Sequence, residues 1–196
     1  MEKNSSLIFL FFLILSIPFS CSLFTDKEVS AFEDEEDEVK KYAIGDIGPS
    51  GVGIVFYITD GGLHGLEAAL SDQSTFQVWI EGGSTQSTLN GNTSTAIGTG
   101  LANSNAIIAQ SGHTGSAAKV CRDYNGGGKT DWFLPSKDEL TQLYWQKNTV
   151  GGFPNGGYWS SSENSSNYAW FIDFGVGVYG GVWKDGFLRV RAVRAF

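Results

Sequence analysis

Apolar and polar positions alternate along the chain in patterns of different period. The longest unbroken apolar run is Leu7 to Leu15. Further on, Gly51-Val52-Gly53 leads into Ile54-Val55-Phe56-Tyr57-Ile58-Thr59, a β-branched and aromatic segment closed by Asp60-Gly61-Gly62. That predicts a strand and a tight turn. Phe76 to Ile80 predicts another short strand, and the polar, glycine-rich stretch from Gly82 to Thr99 predicts a long surface loop.

Two helices are expected next. Leu101, Asn105 and Ile108 fall on one face of the first, with Ala102, Ala106 and Ala109 allowing close approach. Ala117, Val120, Cys121 and Tyr124 give the second its stripe, which Asn125-Gly126-Gly127-Gly128 ends. Asp131-Trp132-Phe133-Leu134 reads as a buried strand that meets Pro135. Ser136 and Glu139 then form a capping box, and Leu140, Leu143 and Tyr144 line the core face of a third helix. After Lys147 the pattern is β throughout: Gly157 to Glu163, Tyr168 to Phe174, Gly177 to Trp183, and Phe187 to Phe196. The class is therefore α+β, with mixed or antiparallel strands, two to three helices and long Gly/Ser/Asn-rich loops.

The first apolar run changes the picture. Lys3 precedes it, and Ser16-Ile17-Pro18-Phe19-Ser20 leads from it to Cys21. A charged start, apolar middle and small-residue end make a secretory signal, too short for the ~20 apolar residues of a membrane span. A cysteine at the cleavage position predicts a bacterial lipoprotein lipidated on Cys21 and anchored in the envelope membrane. The alternative is cleavage after Ser22, giving a secreted or periplasmic protein. Residues 22–41 read as a tether: Glu33-Asp34-Glu35-Glu36-Asp37-Glu38 is a run of carboxylates that repel one another and bury nothing. The folded domain is expected over residues 42–196.

Charge narrows the function classes. The formal net charge is -8, and from Tyr42 to Ala118 there are five acids and no lysine or arginine. From Lys119 to Phe196 there are nine bases and seven acids. An acidic protein is a poor nucleic-acid binder. With Cys21 acylated, Cys121 is a lone thiol in an apolar stretch, expected to be buried.

Several motifs invite chemistry and do not carry it. Gly126-Gly127-Gly128-Lys129-Thr130 resembles the end of a phosphate loop, but Asp123 stands where a glycine is required. Gly175-Val176-Gly177-Val178-Tyr179-Gly180 continues into a β pattern, so it predicts a hairpin rather than a dinucleotide site. Asp123 to Asp131 lacks the ordered ligands of a calcium loop. His64 and His113 are the two histidines and are not paired at metal-binding spacing, so neither metal nor cofactor is expected. Ser160-Ser161-Ser162-Glu163 has no adjacent base, which leaves structural hydrogen bonding. Catalysis is not expected.

Binding is a better prospect. Among Trp145, Trp159, Trp170 and Trp183, one or two are expected at the surface as stacking platforms for sugars. Arg189 and Arg191 alternate along the last strand with Lys184 upstream, a set able to hold an anion. Trp159 and Trp183 join Lys184, Arg189 and Arg191 as candidate ligand-binding residues. The alternative is that the arginines pair with the domain's own acids.

The C-terminal half resembles the Lcl C-terminal domain family, named from a bacterial collagen-like adhesin. The resemblance rests on Asp131 to Leu140, Tyr158-Trp159-Ser160-Ser161-Ser162-Glu163, Ala169-Trp170 and the ending Arg189-Val190-Arg191-Ala192-Val193-Arg194-Ala195-Phe196. Upstream, Ile44-Gly45-Asp46, Gly53-Ile54-Val55-Phe56 and Gly65-Leu66-Glu67-Ala68-Ala69 also fit. It implies a fold similar to C-type lectins and formylglycine-generating enzymes, with Gly53–Thr59 beside Leu188–Ala195. It also implies an adhesin-type domain for a glycan or extracellular protein; the namesake binds sulfated glycosaminoglycans. This sequence departs in having no collagen repeat and 12 acids against nine bases after residue 41. The second expectation is an accessory envelope lipoprotein with a protein partner.

Overall fold

The computed structural model describes residues 39–196; the signal, Cys21 and most of the acidic tether lie outside the described residues. The fold is α+β. Strand β1 (Gly53–Thr59) and its turn are as predicted, and an unpredicted strand, β2 (His64–Ala69), completes a hairpin with it. Its turn, Asp60–Gly62, uses left-handed backbone angles at all three residues. Gly62 has a second reason to be glycine: a Cβ there would fall 2.2 Å from the Tyr42 carbonyl oxygen.

The C-terminal strand β10 (Val193–Ala195) pairs with the far edge of β2, placing Val193 opposite Ala68. The expected pairing of the first and last strands is thus corrected, since β2 lies between them. β2 is the central strand of this sheet. A Cβ at Gly65 would meet the Tyr57 carbonyl on one side and the Phe196 ring on the other.

A second sheet orders its strands β3 (Ser74–Gln77), β9 (Leu188–Val190), β6 (Gly157–Glu163), β7 (Tyr168–Asp173) and β8 (Tyr179–Trp183). β9 runs parallel to β6 and antiparallel to β3. The segment read as one last strand is therefore shared between two sheets, breaking at Arg191-Ala192. The segment read as one strand from Phe76 to Ile80 is likewise split. β3 ends at Gln77, and β4 (Ile80–Glu81) pairs instead with β5 (Gly115–Ser116).

Four helices complete the described domain: α1 (Gly100–Ile108), α2 (Ala117–Asp123), α3 (Lys137–Trp145) and the single turn α4 (Lys147–Val150). α4 falls where only β structure was expected. The capping box of α3 forms as predicted, with Ser136 accepting from the Glu139 N–H and Glu139 from the Ser136 N–H.

Period-two alternation divides the interior into two cores. Trp132, Leu134, Trp159, Ala69 and Ala192 face one core with Trp79, Ile107 and Cys121. Their neighbours Phe133, Tyr158, Ala68 and Val193 face the other with Phe56, Leu140, Leu143 and Phe174. Phe133 bridges to Val193, which ties the central segment to the first sheet.

α1 corrects the helical stripe. Its buried residues include Asn103, Ser104 and Ile107, while Leu101 faces solvent. The helix docks through hydrogen bonds: Asn103 exchanges two with the Ser94 backbone and donates one to Ser161 Oγ, and Ser104 Oγ accepts from the Leu134 N–H. Fully partnered polar groups can line a buried face, which apolar periodicity does not reveal.

Candidate functional site

The long loop before α1 is fastened from beneath by carboxylates. Glu163 accepts from the N–H groups of Asn90 and Gly91, and Glu139 from Gly98. Ser162 Oγ donates to the Ser94 carbonyl and accepts from the Lys137 N–H. Ser160 Oγ donates to the Trp170 carbonyl, and all three serines of the Ser-Ser-Ser-Glu run are buried. The three tie β6 to different neighbours: Ser160 to β7, Ser161 to Asn103 of α1, and Ser162 to the loop.

The expected basic face is engaged by the domain's own acids. Lys184 is 1% exposed; its Nζ lies 2.5 Å from Glu163 Oε1 and donates to the Thr88 carbonyl. Arg191 is equally buried, with Nε 2.9 Å from Asp72 Oδ1 and its remaining donors on the carbonyls of Ala69 and Gly152. Arg189 shares Asp72 as partner at 3.1 Å and keeps a quarter of its side chain exposed. Tyr158 donates to the same carboxylate, and burial followed by the Asp72 charge pushes its hydroxyl pKa far up. Pairing with the domain's own acids is the outcome for all three cations. Burying a charge demands such a partner. Trp159 is buried as well, its indole N–H donating to the Gln77 carbonyl. Four of the five candidates thus lie inside or are neutralised.

Trp183 is the exception, 54% exposed. In the β7–β8 pair it lies opposite Tyr168, Gly181 lies opposite Trp170, and Tyr179 opposite Ile172. Directly opposed residues share a face, so Tyr168, Trp170, Tyr179 and Trp183 form one aromatic surface. Tyr179 is 66% exposed, and the Tyr168 and Trp183 rings are 4.4 Å apart. Gly181 keeps the middle of the face low. A Cβ there would fall 3.0 Å from Asn164 Oδ1, so the Asn164 amide lies over the glycine.

A cavity adjoins each end of this face. Near Tyr179, about 290 Å³ is lined by Lys137, Asp138, Thr141, Tyr144 and Trp145 among others. Lys137 Nζ sits 4.8 Å from the Trp170 ring centre, 5.7 Å from that of Tyr179 and 3.9 Å from Asp138 Oδ1. Near Trp183, about 170 Å³ is lined by Gln86, Ser87, Asn167 and Asp185, with Lys184 at its base. Aromatic rings beside convergent donors and acceptors suit a ligand that is apolar on one surface and hydroxylated at its rim.

The other tempting groups are engaged elsewhere. His113 meets Ser116 Oγ at 2.9 Å, and burial holds its pKa below the ordinary value. Cys121 is fully buried, which pushes its thiol pKa well up. Among the described residues, no group of three or more His, Cys, Asp or Glu side chains could hold a metal ion.

Residues 68–194 match the Lcl C-terminal domain family. The chain belongs to this family. That membership points to an adhesin-like envelope protein. A comparison with curated proteins finds no match. Within this Lcl C-terminal domain, sequence reasoning named Trp183 and weighed Trp145 and Trp170, but missed Tyr168, Tyr179, Lys137 and Asn164. The signal was present in the alternation Tyr168/Trp170/Ile172 against Tyr179/Gly181/Trp183. Reading it required the hairpin register.

Proposed function

We propose that the protein is exported, held on the envelope by a lipid on Cys21 and an acidic tether, and binds a glycan through its Lcl C-terminal domain. The carrying observation is the aromatic face of β7 and β8, where Trp170, Tyr179, Tyr168 and Trp183 stand together with Lys137. The C–H surface of a sugar ring stacks on such rings, while its hydroxyls find Asp138, Thr141, Asn167 and Gln86 at the two ends. The role is capture by binding, with no reaction assigned. A C-type-lectin-like ancestry for the domain fits the same reading.

An array of neutral and sulfated glycans, probed with the full chain purified in detergent, tests it. Saturable binding that W170A and W183A each weaken supports the reading; no binding in the presence or absence of calcium contradicts it. For the anchor, metabolic labelling with palmitate should mark the wild-type protein, and C21S should be unlabelled.

A second reading has one observation in its favour. Phe76 and Phe187 stack face to face at 4.0 Å on the opposite edge of the sheet, both more than half exposed. An accessory role with a protein partner would use that edge. In-cell cross-linking from position 187 should then trap one stoichiometric partner.

A further inference from the structure

The two cavities flank a single strand, and their sizes are informative. Ligand pockets run from roughly 300 to 1,000 Å³; at about 290 and 170 Å³, each cavity is at or below that range. Neither suits a complete ligand alone. Between them, β8 keeps Tyr179 and Trp183 on one face, four residues apart, or ~13 Å at the usual strand rise. A single sugar ring, no broader than the aromatic ring it covers, cannot touch both.

This path carries no excess of cations. Lys137 has Asp138 at 3.9 Å, Lys184 is neutralised by Glu163 beneath the second cavity, and Asp185 lines that cavity from an exposed position. A chain of sulfates or carboxylates would meet no surplus of cations here. Hydroxyls would meet both donors and acceptors: Lys137 and Asp138 at one end, the Asn164 amide over Gly181, and Gln86, Asn167 and Asp185 at the other.

We propose that the two cavities are the end subsites of one extended site, which takes an uncharged oligosaccharide of three or more units lying along β8. This rests on the glycan reading above and specifies its length and charge. Gly181 makes room for the Asn164 amide at the centre of the path, and a bulky residue there would push that amide up into the ligand's course.

Calorimetric titration of the full chain with chito-, cello- and malto-oligosaccharides of increasing length, from the monosaccharide upward, tests this. In the series that binds, affinity should climb steeply until the ligand spans both cavities and then level off. W183A and Y179A should each lower affinity for the long ligand about tenfold, towards that of a shorter one. G181V should do the same, with unchanged thermal unfolding showing that the fold persists. Equal affinity for monosaccharide and long chain, or a long-chain affinity unmoved by W183A, would overturn the extended site while leaving glycan binding intact. Binding of heparin alone would overturn the uncharged ligand. No binding of any sugar would overturn both this inference and the reading beneath it.

Discussion

Asp72 collects donors from Tyr158, Arg189 and Arg191, residues that lie 86 to 119 positions further along the chain. With its side chain almost wholly enclosed, it is the counter-charge that lets Arg191 sit in the interior. Removing one partner of a buried ion pair costs about 3–5 kcal/mol. D72N should therefore lower unfolding free energy by that amount in urea titration, and a loss within experimental scatter would mean the pair is dispensable. The same scale separates core from site among the tryptophans. W159A empties a buried position and should cost about 3–5 kcal/mol, whereas W183A removes an exposed ring and should stay within about 0.5 kcal/mol of wild type. Sequence could not distinguish them. Both are tryptophans on short strands, and only the strand order decides that Trp159 faces the interior.

The loop before α1 shows how elements are held together by polar groups. Glu139 caps its own helix and also accepts from Gly98, which makes it the link between α3 and the loop. Burial raises its pKa above the ordinary 4.5, against the opposing effect of N–H groups from Ser136, Gly98 and Gly100. The native state thus keeps the Glu139 proton to higher pH than the unfolded chain. The associated stability is complete below 4.5 and is lost as pH rises through the raised native value. E139Q should flatten that part of the stability profile, and identical slopes for the two proteins would remove Glu139 as its source. At the other end of the loop, E163Q would leave Lys184 without its counter-charge and, with one acceptor oxygen in place of two, take away the partner of Asn90 or Gly91. Limited proteolysis should then cut near residue 90 faster than in wild type. At this scale the sequence was readable wherever chemistry is local. The Asp60-Gly61-Gly62 turn, the Ser136–Glu139 box and the Gly175–Gly180 hairpin all stand as read. It misled on α1, whose buried stripe contains Asn103 and Ser104, because their partners Ser94, Ser161 and Leu134 are distant in the chain.

Across the whole molecule, the uneven charge of the sequence becomes a fastening between its two parts. Glu67 and Asp72, from the stretch without lysine or arginine, pair with Arg194, Arg189 and Arg191 from the C-terminal strands. With Lys184 paired to Glu163, each cation expected to hold an anion is engaged by an acid of the domain itself. That result was not visible in composition, which gave nine bases to the second half but no indication of which would be buried. What stands at the surface is the aromatic strip of β7 and β8 with no excess of cations, and the proposed site there binds sugar by stacking. The most direct test is to titrate wild type and W183A with the chito-, cello- and malto-hexaoses and with heparin at low and high salt. One of the three hexaoses should bind, its binding persisting at high salt and weakened in W183A, since stacking is not screened as exposed charge pairs are. Heparin binding that collapses with salt and is unaffected by W183A would contradict the proposed site.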